Sequence, residues 1–237
     1  MNFGKEWTAT GVARAELERL GRKLIRKSGK QVLLLAAEGR IFAIANRCPH
    51  EGYPLSEGEM GAGCVLTCNW HNWKFDLATG AALVGRDPVR TYKVMERDGE
   101  IFAALSDPPG EILRERALNG LEAAIADNDS ARIARETVRL ERAGFAASDA
   151  LTHAIRTFND RFEDGTTHAY GAAADWLALS TRAQTPELRL AAILEPIGHI
   201  AWDTQGAAHF PYSNAIQEWN ADDFTSAIEA EDEIRAI

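Results

Sequence analysis

The chain is poor in cysteine, has no long apolar run and, beyond residue 107, contains no lysine at all. Three cysteines in 237 residues exclude a disulfide-stapled scaffold. No apolar stretch approaches the ~18–20 residues that cross a bilayer. The start, Met1-Asn-Phe-Gly-Lys-Glu-Trp7, lacks the apolar segment of a signal peptide, so a cytoplasmic protein with no membrane span is expected. No basic stripe is present, which argues against nucleic-acid binding. Hydrophobic residues at 46% and charged residues at 26% are ordinary for a globular chain. The length suits one large domain or two smaller ones, and no internal repeat or low-complexity tract is visible.

The chain changes character at Ser106-Asp-Pro-Pro-Gly110. Before it, short β-branched or aliphatic runs at 23–26, 31–36, 41–46, 64–67, 91–96 and 101–105 read as strands. Turn pairs such as Ser28-Gly29, Glu38-Gly39 and Asp98-Gly99 separate them. After it, Ala, Leu, Glu and Arg recur at helical spacing, and helices are predicted over 110–126, 129–143, 147–162, 166–182, 186–204 and 222–236. Asp129, Ser148 and Thr185 are the expected N-caps, with Pro186 at a first helical position. Charge divides at the same place. Residues 1–107 hold 15 Lys+Arg against 13 Asp+Glu, and the remainder 11 against 22, so the +2 and −11 make up the net −9. An acidic helical surface is most simply a solvated one, though it would also steer a basic partner. The expected class is α+β: an all-β domain over 1–107 and an all-α domain over 110–237.

Chemistry concentrates in two short loops. Cys48-Pro-His50 and Cys68-Asn-Trp-His71 each offer one thiol and one imidazole, seventeen residues apart. Zinc also takes two Cys and two His. Zinc fingers, however, usually pair the thiols in one knuckle and the imidazoles in the other, whereas both knuckles here are mixed. The alternating order suits a [2Fe–2S] cluster in which two Cys hold one iron and two His the other. The surrounding residues, Cys48-Pro-His-Glu-Gly-Tyr-Pro-Leu55 and Cys68-Asn-Trp-His-Asn-Trp-Lys-Phe-Asp-Leu-Ala-Thr-Gly80, extend the match. Roughly residues 5–106 resemble a Rieske domain of the dioxygenase-ferredoxin and oxygenase subgroup; the rest of the chain does not share the resemblance.

The resemblance implies that Cys48, His50, Cys68 and His71 ligate the cluster and that the protein transfers one electron at a time. Its partners would be a reductase, an oxygenase or both. Neutral imidazoles leave the cluster less negative than all-thiolate ligation does, which raises the potential. High-potential Rieske proteins carry a serine two residues and a tyrosine four residues after the last histidine. Trp73 and Phe75 stand there and have no hydroxyl. The inter-loop disulfide of that type also has no counterpart, so the low end of the range is expected. Trp70 and Trp73 read as covers of the cluster, Pro49 as the residue fixing the first loop, and Gly52, Gly58, Gly61 and Gly63 as turn residues. Cys64 alternates with Leu66 and Cys68 and reads as a small buried hydrophobe in a strand.

The other four histidines, His153, His168, His199 and His209, all lie beyond the boundary. His153 follows Asp149 by four residues, and His199 lies four from both Glu195 and Asp203, a spacing that shares a helix face. Alternative readings therefore remain open. In one, His153, His168 and His199 hold a second, non-haem iron and make the chain a self-contained oxygenase. Against it, the large α/β catalytic domain of the oxygenases and its acidic–His–His motif are missing, as are the Glu-x-x-His pairs of di-iron bundles, and Pro196 should interrupt the helix before His199. In another, the helical domain serves only for assembly.

Overall fold

The computed structural model describes residues 7–162, 167–205, 207–209 and 218–236, so expectations for 1–6 and for residue 166 lie outside the described residues. The chain divides into two compact units, Met1–Asp107 and Pro108–Ile237. The first is built from β-sheets and the second from helices, an α+β arrangement.

The first unit is held by its central strands. β2 (Arg22–Lys27), β3 (Lys30–Ala37) and β4 (Arg40–Ala45) form an antiparallel meander that β9 (Thr91–Tyr92) joins at the edge. Side chains alternate across a strand, and in β3 both sides are buried. Val32 and Leu34 enter a core with Val12, Leu17, Ile101 and Leu105. Leu33 and Leu35 enter another with Cys48, Leu55, Leu66, Cys68 and Phe75. The unbroken run Val32-Leu-Leu-Leu35 is therefore a strand between two apolar layers, which a half-exposed strand would not tolerate.

Above one face lies a three-stranded sheet in the order β1 (Trp7–Ala13), β11 (Glu100–Ala104), β10 (Val94–Arg97). The expected strand 91–96 is two strands. β9 pairs with β4 and β10 with β11, so the chain changes sheets at Lys93. β1 and the short helix α1 (Arg14–Leu20) were not expected. Gly11 at φ +72 lies within the irregular stretch of β1, and only Leu17 of α1 is buried, so neither segment shows a clean period. The other face carries a four-stranded sheet, β5 (Glu59–Gly61), β6 (Val65–Thr67), β7 (Lys74–Asp76) and β8 (Ala82–Val84), in that order. One Cys–His loop precedes β5, and the other joins β6 to β7.

In the second unit α2 (Gly110–Ala126) packs on α3 (Ser130–Arg142), and α5 (His168–Arg182) on α6 (Pro186–Asp203). α4 (Ser148–Phe158) packs against α2 and α6. The core includes Leu121, Ile125, Leu140, Leu151, Phe158, Ile193 and Ile197. Asp129 and Thr185 cap as expected, accepting from the amides of Arg132 (2.9 Å) and Leu188 (3.3 Å). Ser148 does not cap; it is the first residue of α4, after Ala147. The helix predicted over 147–162 tightens into a 3₁₀ turn at Asn159–Arg161. Pro196 does not interrupt α6. It is buried in mid-helix, where packing offsets the lost backbone hydrogen bond. The stretch 222–236 is two helices, α7 (Ala221–Glu229) and α8 (Glu233–Ala236), parted where Glu231 takes φ +57. Among the described residues no helix is long and apolar enough to cross a membrane.

The first unit closes on Asp107, which accepts from Arg90 and, at 3.0 Å, from Lys30. These cations, Arg90 first, hold its carboxyl below the ordinary 3.8. A depressed carboxylate contributes stability that is full above its unfolded pKa and is lost as pH falls through the folded one. Asp107→Asn should therefore lower the urea midpoint at pH 7. The gap to wild type should close progressively below pH 3.8; a gap that persists at pH 2–3 would show that the ion pairs are not its source.

Candidate metal centre

The two loops close by the same backbone pattern. The Cys48 amide donates to the carbonyl of Tyr53, and the Cys48 carbonyl accepts from the amide of Gly52, both at 2.8 Å. The Cys68 amide donates to Trp73 at 2.8 Å, and the Cys68 carbonyl accepts from Asn72 at 3.0 Å. Each loop needs a left-handed residue four positions after its cysteine, and these are Gly52 (φ +80) and Asn72 (φ +57). Glycine and asparagine are the residues that adopt that conformation most cheaply. The first loop is tied at its base by Asn46 Oδ1, which accepts from the Ser56 amide at 2.7 Å. Asn69 Nδ2 crosses from the second loop to the carbonyl of Glu57 at 2.7 Å.

This geometry sends sulfur inward and imidazole outward. Cys48 and Cys68 are 4% and 1% exposed, whereas the side chains of His50 and His71 are 27% and 41% exposed. The two Nδ1 atoms lie 3.0 Å apart. Two bare lone pairs would repel at that distance, so it requires either a shared proton or a shared cation. Two metal–nitrogen bonds of ~2.1 Å would span it at an angle of about 90°. Burial above all, opposed by backbone amides and aided by Cys68, pushes the Cys48 thiol up to about 11. Such a buried thiol becomes a thiolate when a cation replaces its proton. Two buried thiols and two paired imidazoles, one of each per loop, thus fit a group with two cationic centres.

Aromatic rings close the site. Trp73 stacks on His50 with centroids 4.8 Å apart and planes 11° apart, and Tyr53 stacks on Trp70 at 5.6 Å and 12°. Phe75, fully buried, lies behind Trp73 at 6.4 Å. Gly85 allows the first stack: at φ +111, a Cβ there would fall 2.3 Å from the Trp73 ring. Cys64 is buried as expected but lies in no strand. It ends the 3₁₀ turn Ala62–Cys64 at φ +57, and its carbonyl accepts from the Leu77 amide at 3.0 Å. Glu51 and Tyr53 escaped the reading of the sequence. Their signal was the repeated pattern Cys-x-x-x-(Gly/Asn)-aromatic at Cys48 and Cys68, which aligns Tyr53 with Trp73.

The structure does not gather the helical-domain histidines. His153 Nε2 meets Glu122 Oε1 of α2 at 2.7 Å, not Asp149, whose carboxylate accepts from the Ala146 amide at 3.3 Å. His168 and His199 are exposed on α5 and α6. Asp203 accepts from Thr167, and His209 Nδ1 meets Asp160 at 2.7 Å. Among the described residues, the group of three or more metal-capable side chains whose ligand atoms lie within 4.8 Å of one another is His50, Glu51 and His71.

Residues 10–101 match the Rieske [2Fe-2S] domain family. The 3-phenylpropionate/cinnamic acid dioxygenase ferredoxin subunit of Photorhabdus laumondii is 35% identical over 78 residues, 32% of this chain and 74% of that one. The terminal oxygenase component of carbazole 1,9a-dioxygenase from a Sphingomonas species is 29% identical over 150 residues, 54% of this chain but only 38% of its own length. The ferredoxin of carbazole 1,9a-dioxygenase from Nocardioides aromaticivorans superposes with a TM-score of 0.40 at 26% identity, over 43% of this chain and all of that one. The chain belongs to the Rieske family, and its cofactor is a [2Fe–2S] cluster.

Gly85→Ala should push the Trp73 ring off His50, costing about 1–3 kcal/mol and altering the visible circular dichroism of the loaded protein. Gly99→Ala is the control, because it shares the positive φ, at +78, while its Cβ meets nothing within 4 Å. Equal behaviour of the two variants would show that the stack is not confined by Gly85.

Proposed function

We propose that the chain is a one-electron carrier in which Cys48 and Cys68 hold one iron of the cluster, and His50 and His71 the other. The observation that carries this reading is the pair of Nδ1 atoms 3.0 Å apart at the surface above two buried thiols. A [2Fe–2S] cluster bound there takes up and releases one electron. The residues do the rest. Buried Cys48 and Cys68 anchor the group among Leu33, Leu55, Leu66 and Phe75, away from water. The half-exposed imidazoles bring it to the surface, where a partner docks. His50 is braced by Trp73 and His71 by the edge of Trp70 at 5.5 Å.

The electron passes between a reductase and an oxygenase or related redox enzyme; of the relatives, one is named a dioxygenase ferredoxin subunit and another a terminal oxygenase component. Charge supports a division of labour. The nearly neutral 1–107 carries the cluster, while the acidic remainder, at −11, serves docking or assembly. The reading in which His153, His168 and His199 hold a further iron gains no support from their placement.

Anaerobically purified protein should contain about two irons and two sulfides per chain and give the rhombic reduced-state spin-resonance signal of mixed Cys/His ligation. His168→Ala should leave the iron content unchanged. One zinc and no sulfide would overturn the ligand assignment, and a third iron lost in His168→Ala would restore the oxygenase reading.

The potential should lie at the low end, on the order of −150 mV rather than +300 mV, because Trp73 and Phe75 offer no hydroxyl to the cluster. Phe75→Tyr should raise it. Lost stability with an unchanged potential would show that the new hydroxyl does not reach the cluster.

A further inference from the structure

The two loops correspond position by position through their shared hydrogen-bond closure. In that frame His50 matches Trp70, His71 matches Glu51 and Trp73 matches Tyr53. Their contacts match as well. Trp73 stacks on His50 as Tyr53 stacks on Trp70. The His50–His71 contact at 3.0 Å has its counterpart in Trp70 Nε1, which donates to Glu51 Oε2 at 3.1 Å. One half of this arrangement presents two imidazoles, and the other an indole and a carboxylate. The Glu51 carboxylate also reaches the first half: Oε1 lies 4.0 Å from His50 Nε2, and Oε2 lies 4.0 Å from His71 Nδ1.

We propose that Glu51, clamped by the Trp70 indole, is a positioning residue that places one negative charge beside both imidazoles and holds the cluster's potential down. This rests on the ligand assignment above. The physical basis is electrostatic. A fixed carboxylate opposes the arrival of an electron at the imidazole-bound centre, and no bond is made or broken in that step. The Glu51 side chain is 56% exposed, so solvent and salt screen its charge. Its effect depends on being held. An unclamped glutamate would spread over several rotamers pointing into water. The clamp is itself anchored, since Trp70 rests on Tyr53, whose hydroxyl donates to Glu57 Oε2 at 2.8 Å.

The test is a redox titration of anaerobically purified holoprotein, followed by visible absorption and spin resonance, in wild type, Glu51→Gln and Trp70→Phe. Glu51→Gln should keep its iron, sulfide and rhombic signal. Its reduction equilibrium should shift at least threefold toward the reduced form, ~28 mV at 59 mV per tenfold for one electron. Trp70→Phe keeps a ring on Tyr53 but loses the indole donor, and should shift the same way by less. Raising the ionic strength from ~0.01 M to ~1 M shortens the screening length from ~30 Å to ~3 Å, and should narrow the difference between wild type and Glu51→Gln. An intact cluster with an unchanged potential in Glu51→Gln overturns the proposal and leaves the ligand assignment standing. If Glu51→Gln loses its cluster, Trp70→Phe decides, and an unchanged potential there overturns the proposal. Wild-type protein without an iron–sulfur signal overturns the ligand assignment instead.

Discussion

Two reciprocal backbone closures govern the site. Each cysteine donates its amide five residues ahead and accepts from the amide four ahead, so that a loop of six residues folds back on its own cysteine. Everything chemical follows from this constraint. It turns the sulfurs into the apolar layer below β3 and β4, and it lifts the residues between the two ends toward solvent. It also requires a left-handed residue at the fourth position, which Gly52 and Asn72 supply by different means. Glycine has no Cβ to clash, and asparagine tolerates the conformation through its short polar side chain.

The loops hold their shape because of the layer beneath them. β3 and β4 are buried on both faces, so their register is fixed from two sides, and a slip by one residue would move Leu33 and Leu35 out of the cysteine-containing core. The close approach of Gly58 to the carbonyl of Thr67 locks the exit of the first loop against β6; a Cβ there would come within 2.4 Å. The change of sheets at Lys93 lets one continuous segment hydrogen-bond to β4 and then to β11. The site is thus buried and hydrogen-bonded at its cysteines and open to solvent at its rim.

Much of this was legible in the sequence. The mixed Cys–His knuckles, the break at Ser106-Asp-Pro-Pro-Gly110 and the helical spacing beyond it set out the two units and the family. The misses have physical causes. β1 and α1 bury too few side chains to show a period, and Gly11 disturbs the strand alternation. Cys64 kept the strand spacing but not the strand conformation, because a local turn at Gly63 and Cys64 decided it. Pro196 read as a helix breaker, yet it is buried among packed neighbours that keep the helix intact. Glu51 was missed because its signal lies only in the alignment of the two loop patterns, which sets it opposite His71.

Burial and charge at this site pull in opposite directions, and that tension explains its form. The apolar layer that anchors the cysteines also pushes the Cys48 thiol up to about 11, so the fold by itself favours protonated sulfur. The proposed ligation needs thiolates, which the charge of a bound cation would stabilise there. Under the proposed ligation, loading the cluster would release protons from the interior and add a link between loops that are otherwise joined by hydrogen bonds and ring stacks. The imidazoles meet the opposite condition. They are half-exposed and lie at the surface beside the Glu51 carboxylate. Under the proposed ligation, inward thiolates would secure the cluster in the protein, and outward imidazoles would connect it to whatever docks outside.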